Sequence, residues 1–299
     1  MKQNKKTKVL LTGASGFLGK KIMAMFPGLG FEVLGTSVSK NGNVSKMDVT
    51  NRKEVMELIS GFKPDVVVHA AAVINVDWCE QNRDEAFRIN VDGARNVAEG
   101  CKAEGAKMVL VSTDYVFDGK KNGKYKEDDE RNPVGAYGWT KAEAEKVVEE
   151  ILGNYLIVRA SVLYGFNDAK DRETYVTYVL RRLKAGEEVF GFTDQYNNPA
   201  FIDDVVQALA KLIKLDEGGV FHVTGPENIS RFEFARKIAK VYGFDPELVK
   251  KGTWESSGHK APRAKRLDES IEKLESRGVK MSGIEEGLKK MKRQIDAAS

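Results

Sequence analysis

The chain has 299 residues, of which 41% are apolar and 31% charged, a composition typical of a globular protein with a packed core. Its 48 basic and 44 acidic side chains leave a net charge of only +4, so we expect no nucleic-acid partner. No apolar run approaches the ~20 residues that cross a bilayer, so we expect no membrane association. Two cysteines and three histidines are too few for a typical Cys/His zinc site, and we expect no metal and a reducing, cytoplasmic location.

Strands and helices alternate through the first half of the chain. Apolar runs predict strands at residues 8–12, 31–36, 44–47, 65–69, 108–111 and 155–158. Helical periodicity and capping signals predict helices at residues 17–26, 51–62, 84–104 and 137–152. Because short buried strands separated by helices of this length require right-handed crossovers, the pattern predicts an α/β fold with a Rossmann-type, doubly wound parallel sheet.

The second half is less regular and predicts a smaller, mixed lobe. Candidate strands cover residues 188–192 and 220–223, and Ser230 with Glu233 forms a capping-box pattern before an apolar helix. Three aromatic residues are interpreted as core: Phe190, Phe192 and Phe201. The predicted division is a Rossmann domain at residues 1–163, a segment that returns to it at residues 193–223, and a mainly substrate-binding lobe at residues 164–299.

A glycine-rich turn joins the first predicted strand to the first helix. Gly13 permits the tight turn, Gly16 removes a side chain where a pyrophosphate must approach the backbone, and Gly19 lets helix and strand pack closely. The free N–H groups and the positive dipole end of the helix then attract the phosphates. This segment predicts a dinucleotide-binding loop formed by Gly13, Ser15, Gly16, Phe17, Leu18 and Gly19.

The glycine spacing G-x-x-G-x-x-G resembles that of the short-chain dehydrogenases, particularly the extended group. Further segments match that family in order and spacing, and the resemblance implies that they line the cofactor: Asp48 with Val49, His69 with Ala70 and Ala71, and Asn90. The second strand lacks the acid that binds the ribose 2′-hydroxyl in NAD-specific sites. Ser37, Ser39 and Lys40 stand there instead and favour NADP, with NAD as the alternative; Lys40 is equally well explained as a solvated loop charge.

Tyr137 and Lys141 place a phenol and an ammonium one turn apart on the same face of a predicted helix. A free tyrosine has a pKa of about 10 and is a poor acid–base catalyst at neutral pH, but a nearby ammonium favours its ionised form. The pair follows a strand that ends in Ser112 and Thr113, where a hydroxyl can hydrogen-bond a substrate oxygen. Thr113, Tyr137 and Lys141 in this order are similar to the short-chain dehydrogenase triad, which implies that Tyr137 and Lys141 also contact the cofactor.

The surrounding residues resemble the dTDP-4-dehydrorhamnose reductase family over nearly the whole chain. The matching positions are Val76, Asp77, Glu80, residues 111–119, Tyr125, Glu127, Pro133, Arg159, Ser161, Tyr164, Gly165, Pro262, Arg263, Leu267 and Asp268. The resemblance implies a nucleotide-linked sugar as substrate, bound near Val73, Asp114, Tyr115 and Val162, and it leaves a homodimer open. Val162 stands where these reductases often carry a tryptophan that helps to form the sugar pocket, and an aliphatic side chain cannot stack on a sugar.

Three functions are compatible with these features. The first is NADPH-dependent reduction of a 4-keto group on a nucleotide-linked deoxysugar, with Tyr137 as the general acid. The second is a nucleotide-sugar epimerase or dehydratase, although the dehydratases similar to this family have Asp-Glu after the threonine, where this chain has Asp114 and Tyr115. The third is an NADP-binding regulatory subunit similar to the methionine adenosyltransferase β subunit, which also lacks the tryptophan. The acidic run at residues 127–130 is interpreted as a solvated loop.

Overall fold

The computed structural model describes residues 6–39, 42–166, 173–255, 258 and 260–298. The strands are β1 (Thr7–Thr12), β2 (Phe31–Ser37), β3 (Ser45–Lys46), β4 (Val66–His69), β5 (Lys107–Thr113), β6 (Tyr155–Ala160), β7 (Leu163–Tyr164), β8 (Val189–Phe192), β9 (Tyr196–Asn197), β10 (Ala200–Phe201), β11 (Gly219–His222), β12 (Ile229–Ser230) and β13 (Val249–Gly252). The helices are α1 (Phe17–Met25), α2 (Arg52–Phe62), α3 (Val76–Gln81), α4 (Arg83–Phe87), α5 (Gly93–Glu104), α6 (Ala136–Ile151), α7 (Tyr175–Lys184), α8 (Ile202–Lys214), α9 (Arg231–Tyr242), α10 (Glu272–Glu275) and α11 (Ile284–Ala298).

Seven strands form one sheet in the order β11-β6-β5-β4-β1-β2-β3, and every neighbouring pair is parallel. From β1 the chain first builds towards β3 and then returns to build β4, β5 and β6 on the other side. This reversal is the doubly wound arrangement. The predicted Rossmann-type sheet is therefore confirmed, and β11, from the second half of the chain, extends it beside β6.

Alternate residues of the strands contact two separate helical layers. In β1, Val9 and Leu11 belong to the apolar core shared with α1 and α8, whereas Leu10 belongs to the core shared with α2, α5 and α6. All three side chains are fully buried. Because both faces of the sheet are covered, its strands read as continuous apolar runs rather than as alternating ones.

Two local predictions were wrong. The helix predicted at residues 84–104 begins at Arg83 and is interrupted by a π-turn at Arg88–Asp92, whose extra residue rotates the helix so that Asn90 and Val91 are both buried. Phe190 is 58% exposed rather than in the core, because successive residues of a strand face opposite sides and Val189 takes the inward position. Phe201 is buried as predicted.

The C-terminal lobe has an apolar core of its own, to which α7, α9 and α11 contribute. The predicted capping box is present at the start of α9, where Ser230 Oγ accepts from Glu233 N at 3.1 Å and the Glu233 carboxylate accepts from Ser230 N at 3.3 Å. Three two-stranded sheets complete the lobe: β10–β7, β12–β9 and β13–β8. Within the described ranges, no helix is both long and apolar enough to cross a bilayer.

Candidate active site

The carboxyl ends of the central strands meet at one edge of the sheet. Thr12 at the end of β1 lies beside His69 at the end of β4, and Thr113 at the end of β5 lies beside Ala160 at the end of β6. Open parallel sheets bind their ligands at this edge, next to the strand where the winding reverses. The three predicted catalytic residues and the glycine-rich turn all lie there.

Thr113, Tyr137 and Lys141 come together because helix α6 packs across the end of β5. Tyr137 is the second residue of α6, and Lys141 lies one turn further on. All three side chains are buried, with exposures of 6%, 9% and 3%. Lys141 Nζ donates to the carbonyl of Val111 at 2.7 Å, which ties the helix to the strand. The structure therefore assembles the predicted triad in one place.

Burial determines the protonation of this triad. Burial raises the pKa of Tyr137, and a hydrogen bond with the Thr113 hydroxyl lowers it less than burial raises it. Tyr137 is thus a neutral phenol at neutral pH, the form that a general acid requires. Burial lowers the pKa of Lys141 to about 8, while the negative charge of Glu145 acts in the opposite direction. Lys141 is therefore mostly protonated at neutral pH, but its pKa lies close to that pH.

Asp114 orients the Thr113 hydroxyl. Thr113 Oγ1 donates to Asp114 Oδ1 at 2.9 Å, and Asp114 Oδ2 accepts from Ser161 Oγ at 2.7 Å and from Asn197 Nδ2 at 2.9 Å. Burial raises the pKa of Asp114, and its three hydrogen-bond donors lower it. The ring of Tyr115 contacts that of Tyr137 edge-on, with centroids 5.7 Å apart. Of the other two predicted substrate positions, Val73 follows β4 and Val162 follows β6, and both are half-buried.

The glycine-rich turn has the shape of a phosphate cradle. Gly13 has a φ of +72°, in the left-handed region, and a Cβ there would lie 2.7 Å from the amide nitrogen of Ala71. A Cβ on Gly19 would lie 2.2 Å from the carbonyl oxygen of Gly13, so α1 packs directly on the turn. Gly16 is exposed at the N-cap of α1, and no side chain of the described residues caps this first turn. Its amide groups are free to bind an anion, so these residues fit the pyrophosphate of a dinucleotide.

The other predicted cofactor residues surround this cradle in different ways. His69 is buried and shares a hydrogen bond of 2.8 Å between its Nδ1 and Thr12 Oγ1. Burial lowers the pKa of His69 to about 3, so its ring is neutral. The same Thr12 oxygen accepts from the amide of Ala71 at 3.1 Å, which fixes the backbone that runs past Ala70. Thr12 is a residue that the sequence motif did not single out.

Asn90 links two parts of the site. Its Oδ1 accepts from Val73 N at 2.8 Å, and its Nδ2 donates to Val73 O at 3.1 Å and to Thr140 Oγ1 at 2.9 Å. Thr140 Oγ1 in turn donates to the carbonyl of Tyr137 at 2.8 Å. Asn90 therefore fixes the loop after β4 to α6, and the π-turn supplies the rotation that places it there.

The far end of the cofactor site lies at the ends of β2 and β3. Ser37 Oγ donates to the Ser39 carbonyl at 2.5 Å, and Lys40 lies outside the described residues. Asp48 Oδ1 accepts from Thr50 N at 2.9 Å and from Thr50 Oγ1 at 2.8 Å. Val49 is 4% exposed and is covered by α5, where a Cβ on Gly93 would lie 2.9 Å from Val49 Cγ2.

Comparison with known proteins identifies the family. The profile of the family described as "RmlD substrate binding domain" matches residues 7–296. The chain belongs to this family.

Similar proteins include reductases and a methionine adenosyltransferase subunit. The dTDP-4-dehydrorhamnose reductase of Aggregatibacter actinomycetemcomitans is 33% identical over 82% of this chain and 80% of the relative. Methionine adenosyltransferase 2 subunit beta of Bos taurus is 31% identical over 91% and 83%. The crystal structure of a Bacillus anthracis dTDP-4-dehydrorhamnose reductase with NADP superposes with a TM-score of 0.89, at 32% identity, over 97% of this chain and 99% of that one. The predicted family, the NAD(P)-dependent oxidoreductase class and the cofactor type are confirmed.

In this member of the RmlD family, a buried ion cluster supports the catalytic helix. Glu145 follows Lys141 by one turn of α6 and is fully buried. Its carboxylate accepts from Ser112 Oγ at 2.5 Å, from Arg159 Nη2 at 2.7 Å and from Arg131 Nη1 at 3.1 Å. Glu145 thus joins α6 to β5 and β6 directly beneath the triad. Its spacing of four residues from Lys141 is a sequence signal that places both side chains on one face of the helix.

A second ion cluster brings the C-terminal segment to the site. Asp77 on α3 accepts from the amides of Lys260 and Ala261 at 3.1 and 3.0 Å and pairs with Arg263 at 3.1 Å. The Arg263 guanidinium lies 4.0 Å from the ring centroid of Trp254, and it lowers the pKa of Tyr115 against the larger effect of burial. Asp77 and Arg263 were both among the family-like positions, but no sequence pattern predicted that they meet across 186 residues.

Proposed function

We propose that this protein reduces a 4-keto group on a nucleotide-linked deoxysugar, with NADPH as the reductant. The observation that carries the proposal is the buried Tyr137 phenol, which is held neutral beside the Thr113 hydroxyl at the same sheet edge as the phosphate cradle. A neutral phenol at that edge can give its proton to a carbonyl oxygen.

Each residue of the triad has a distinct role in this proposal. Tyr137 donates its proton to the carbonyl oxygen as that oxygen gains charge. In the substrate complex the Thr113 hydroxyl, which donates to Asp114 in the free protein, turns its proton to the same oxygen and holds it in place. Lys141 orients the cofactor and stabilises the Tyr137 oxygen after proton loss. NADPH, when bound, supplies the hydride.

The proposed cofactor and substrate contacts are those of the sequence motifs. The cofactor residues are Gly13, Ser15, Gly16, Phe17, Leu18, Gly19, Ser37, Ser39, Lys40, Asp48, Val49, His69, Ala70, Ala71, Asn90, Tyr137 and Lys141. The substrate residues are Val73, Asp114, Tyr115 and Val162. Residues 1–163 then form the cofactor-binding unit, with the segment 193–223 returning to it, and residues 164–299 mainly bind the substrate.

The test is a coupled NADPH-oxidation assay over several nucleotide-linked 4-keto sugars. We expect turnover with at least one of them, and none with the free sugar. Oxidation of NADPH by none of the keto sugars would contradict the proposal.

The second candidate is an NADP-binding regulatory subunit, which the similarity to methionine adenosyltransferase 2 subunit beta and the aliphatic Val162 both favour. Such a subunit would bind NADP, oxidise no NADPH in this assay, and raise or lower the activity of a partner methionine adenosyltransferase. The reductase is preferred because cofactor binding alone does not require Thr113, Tyr137 and Lys141 to converge. An epimerase or dehydratase is less consistent with the site, because Tyr115 stands where a dehydratase needs a glutamate.

A further inference from the structure

Arg231 is an arginine of the C-terminal lobe that is held in a fixed position. It is the first residue of α9, its amide donates to the carbonyl of Gln195 at 3.1 Å, and its carbonyl accepts from Tyr175 Oη at 2.8 Å. The guanidinium lies over the Tyr175 ring, 4.9 Å from its centroid. Backbone and ring together hold this cation at the start of α9.

The positive charge of Arg231 reaches the substrate-binding residues. It lowers the pKa of Asp114 and that of Tyr115, in both cases against the larger effect of burial. Asn197, two residues beyond Gln195, donates directly to Asp114 at 2.9 Å. The strand β9 and the start of α9 therefore bring Arg231 close to the proposed sugar pocket.

Among the described residues, no carboxylate lies within 4 Å of the Arg231 guanidinium and no acceptor hydrogen-bonds it. Asp114 feels this charge but makes no direct hydrogen bond to the guanidinium, and both oxygens of its carboxylate accept from Thr113, Ser161 and Asn197. The other nearby guanidinium, that of Arg263, is paired with Asp77 at 3.1 Å. The donors of Arg231 are thus available to a ligand.

We propose that Arg231 binds the diphosphate of a nucleoside-diphosphate-linked sugar, which makes it the anion-recognition residue of the substrate site. The inference rests on the proposed function, because it assumes that the same cleft holds the sugar. A guanidinium is always charged and presents a planar fork of donors that matches two phosphate oxygens. A partly buried position over an aromatic ring shields the pair from solvent and strengthens it.

The experiment measures binding of thymidine diphosphate to the NADP-loaded protein by calorimetry. We expect Arg231→Gln to weaken binding by about ten- to a hundredfold, because charge-assisted hydrogen bonds are lost. Arg231→Lys should recover part of the loss, since the charge is kept and the fork is not. The affinity for NADP should stay unchanged in both variants.

Arg236→Gln is the matched control. Arg236 lies on the same helix and over the ring of Phe232, but it is paired with Glu247 at 2.9 Å, so its removal changes the net charge equally without touching the cleft. We expect less than about a twofold change in thymidine diphosphate affinity for this variant. An equal loss in both variants, or no loss in Arg231→Gln, would overturn the inference, as would a failure of the wild type to bind thymidine diphosphate.

This readout separates the inference from the proposed function. Arg231-dependent binding without NADPH oxidation by any keto sugar would support the anion site and contradict the reductase. If the protein reduces a keto sugar and Arg231→Gln leaves the KM for that sugar unchanged, the reductase is supported and the anion site is contradicted.

Discussion

The side chains of Glu145 and Arg159 form an ion pair that solvent does not reach, with Arg159 Nη2 2.7 Å from Glu145 Oε2 and exposures of 0% and 2%. Arg159 also donates to the carbonyl of Glu127 at 3.1 Å and lies over the Phe117 ring, 5.0 Å from its centroid. Desolvating two charges is costly, and these additional contacts offset the cost. The pair therefore fixes α6, which carries Tyr137 and Lys141, against the sheet.

Glu145→Ala should lower the free energy of unfolding by about 3–5 kcal/mol, because it leaves the Arg159 guanidinium buried without its carboxylate. The measurement is urea unfolding followed by circular dichroism. Glu143→Ala is the control on the same helix: Glu143 pairs with the half-exposed Lys146 at 2.6 Å, and its loss should cost less than about 1 kcal/mol. Similar losses for the two variants would argue against a supporting role for the buried pair.

Tyr137→Phe should reduce the rate of keto-sugar reduction by roughly 10²–10⁴, the range for a lost general acid. The variant should bind NADPH and unfold like the wild type, since only one hydroxyl is removed. Thr113→Val should also impair turnover with little change in cofactor affinity, whereas Lys141→Met should weaken both. Tyr155→Phe, at the opposite end of β6, is the control and should be fully active. Unchanged turnover in Tyr137→Phe would rule out the proposed mechanism.

Lys141 should make the stability of the cofactor-free protein depend on pH above 8. Burial lowers its pKa to about 8, so between pH 8 and about 10.5 the unfolded chain binds the proton and the folded chain does not. The wild type therefore gains stability across this window, by up to about 3 kcal/mol, and Lys141→Met does not. The unfolding free energy of the wild type minus that of Lys141→Met should therefore increase from pH 7 to about 10.5. Lys146 is the control, a half-exposed side chain on the same helix: the difference in unfolding free energy between the wild type and Lys146→Met should not change with pH across this window.

Gly16→Val should abolish NADPH binding and leave the melting temperature within a few degrees of the wild type. A Cβ at Gly16 approaches only the Gly13 carbonyl oxygen, at 3.3 Å, so the fold accepts a side chain that the bound pyrophosphate would not. Gly19→Ala, in contrast to Gly16→Val, should lose stability, because its Cβ would lie 2.2 Å from that oxygen. Wild-type cofactor affinity in Gly16→Val would show that the turn is not the phosphate cradle.

NADPH should bind more tightly than NADH. No acid stands at the end of β2, where Ser37 and Ser39 leave room and hydroxyl groups for a 2′-phosphate. Intrinsic-fluorescence titration with each dinucleotide measures the preference. Tighter binding of NADH by tenfold, or ~1.4 kcal/mol, would contradict this assignment.

The parallel sheet, the glycine-rich turn and the pairing of Tyr137 with Lys141 were predictable from the sequence alone, because each is a local pattern. Short apolar runs separated by helices define a parallel sheet, the spacing of Gly13, Gly16 and Gly19 defines the turn, and Tyr137 and Lys141 lie one helical turn apart. The position of Glu145 on the same helix face as Lys141 was predictable too, since the two residues are four apart.

The groups that meet at the site from distant parts of the chain became apparent only from the folded structure. Asn197 reaches Asp114 across 83 residues, and Arg263 reaches Asp77 across 186. The sequence shows Arg231 only as a charged residue at a helix start, and its position beside β9 follows from the packing of the lobe. Such contacts depend on how the lobe closes over the carboxyl ends of the strands, and packing of that kind leaves no periodic signal in the chain. Burial acts in the same way, because the low pKa of Lys141 and the neutral phenol of Tyr137 arise from the surrounding fold rather than from the residues themselves.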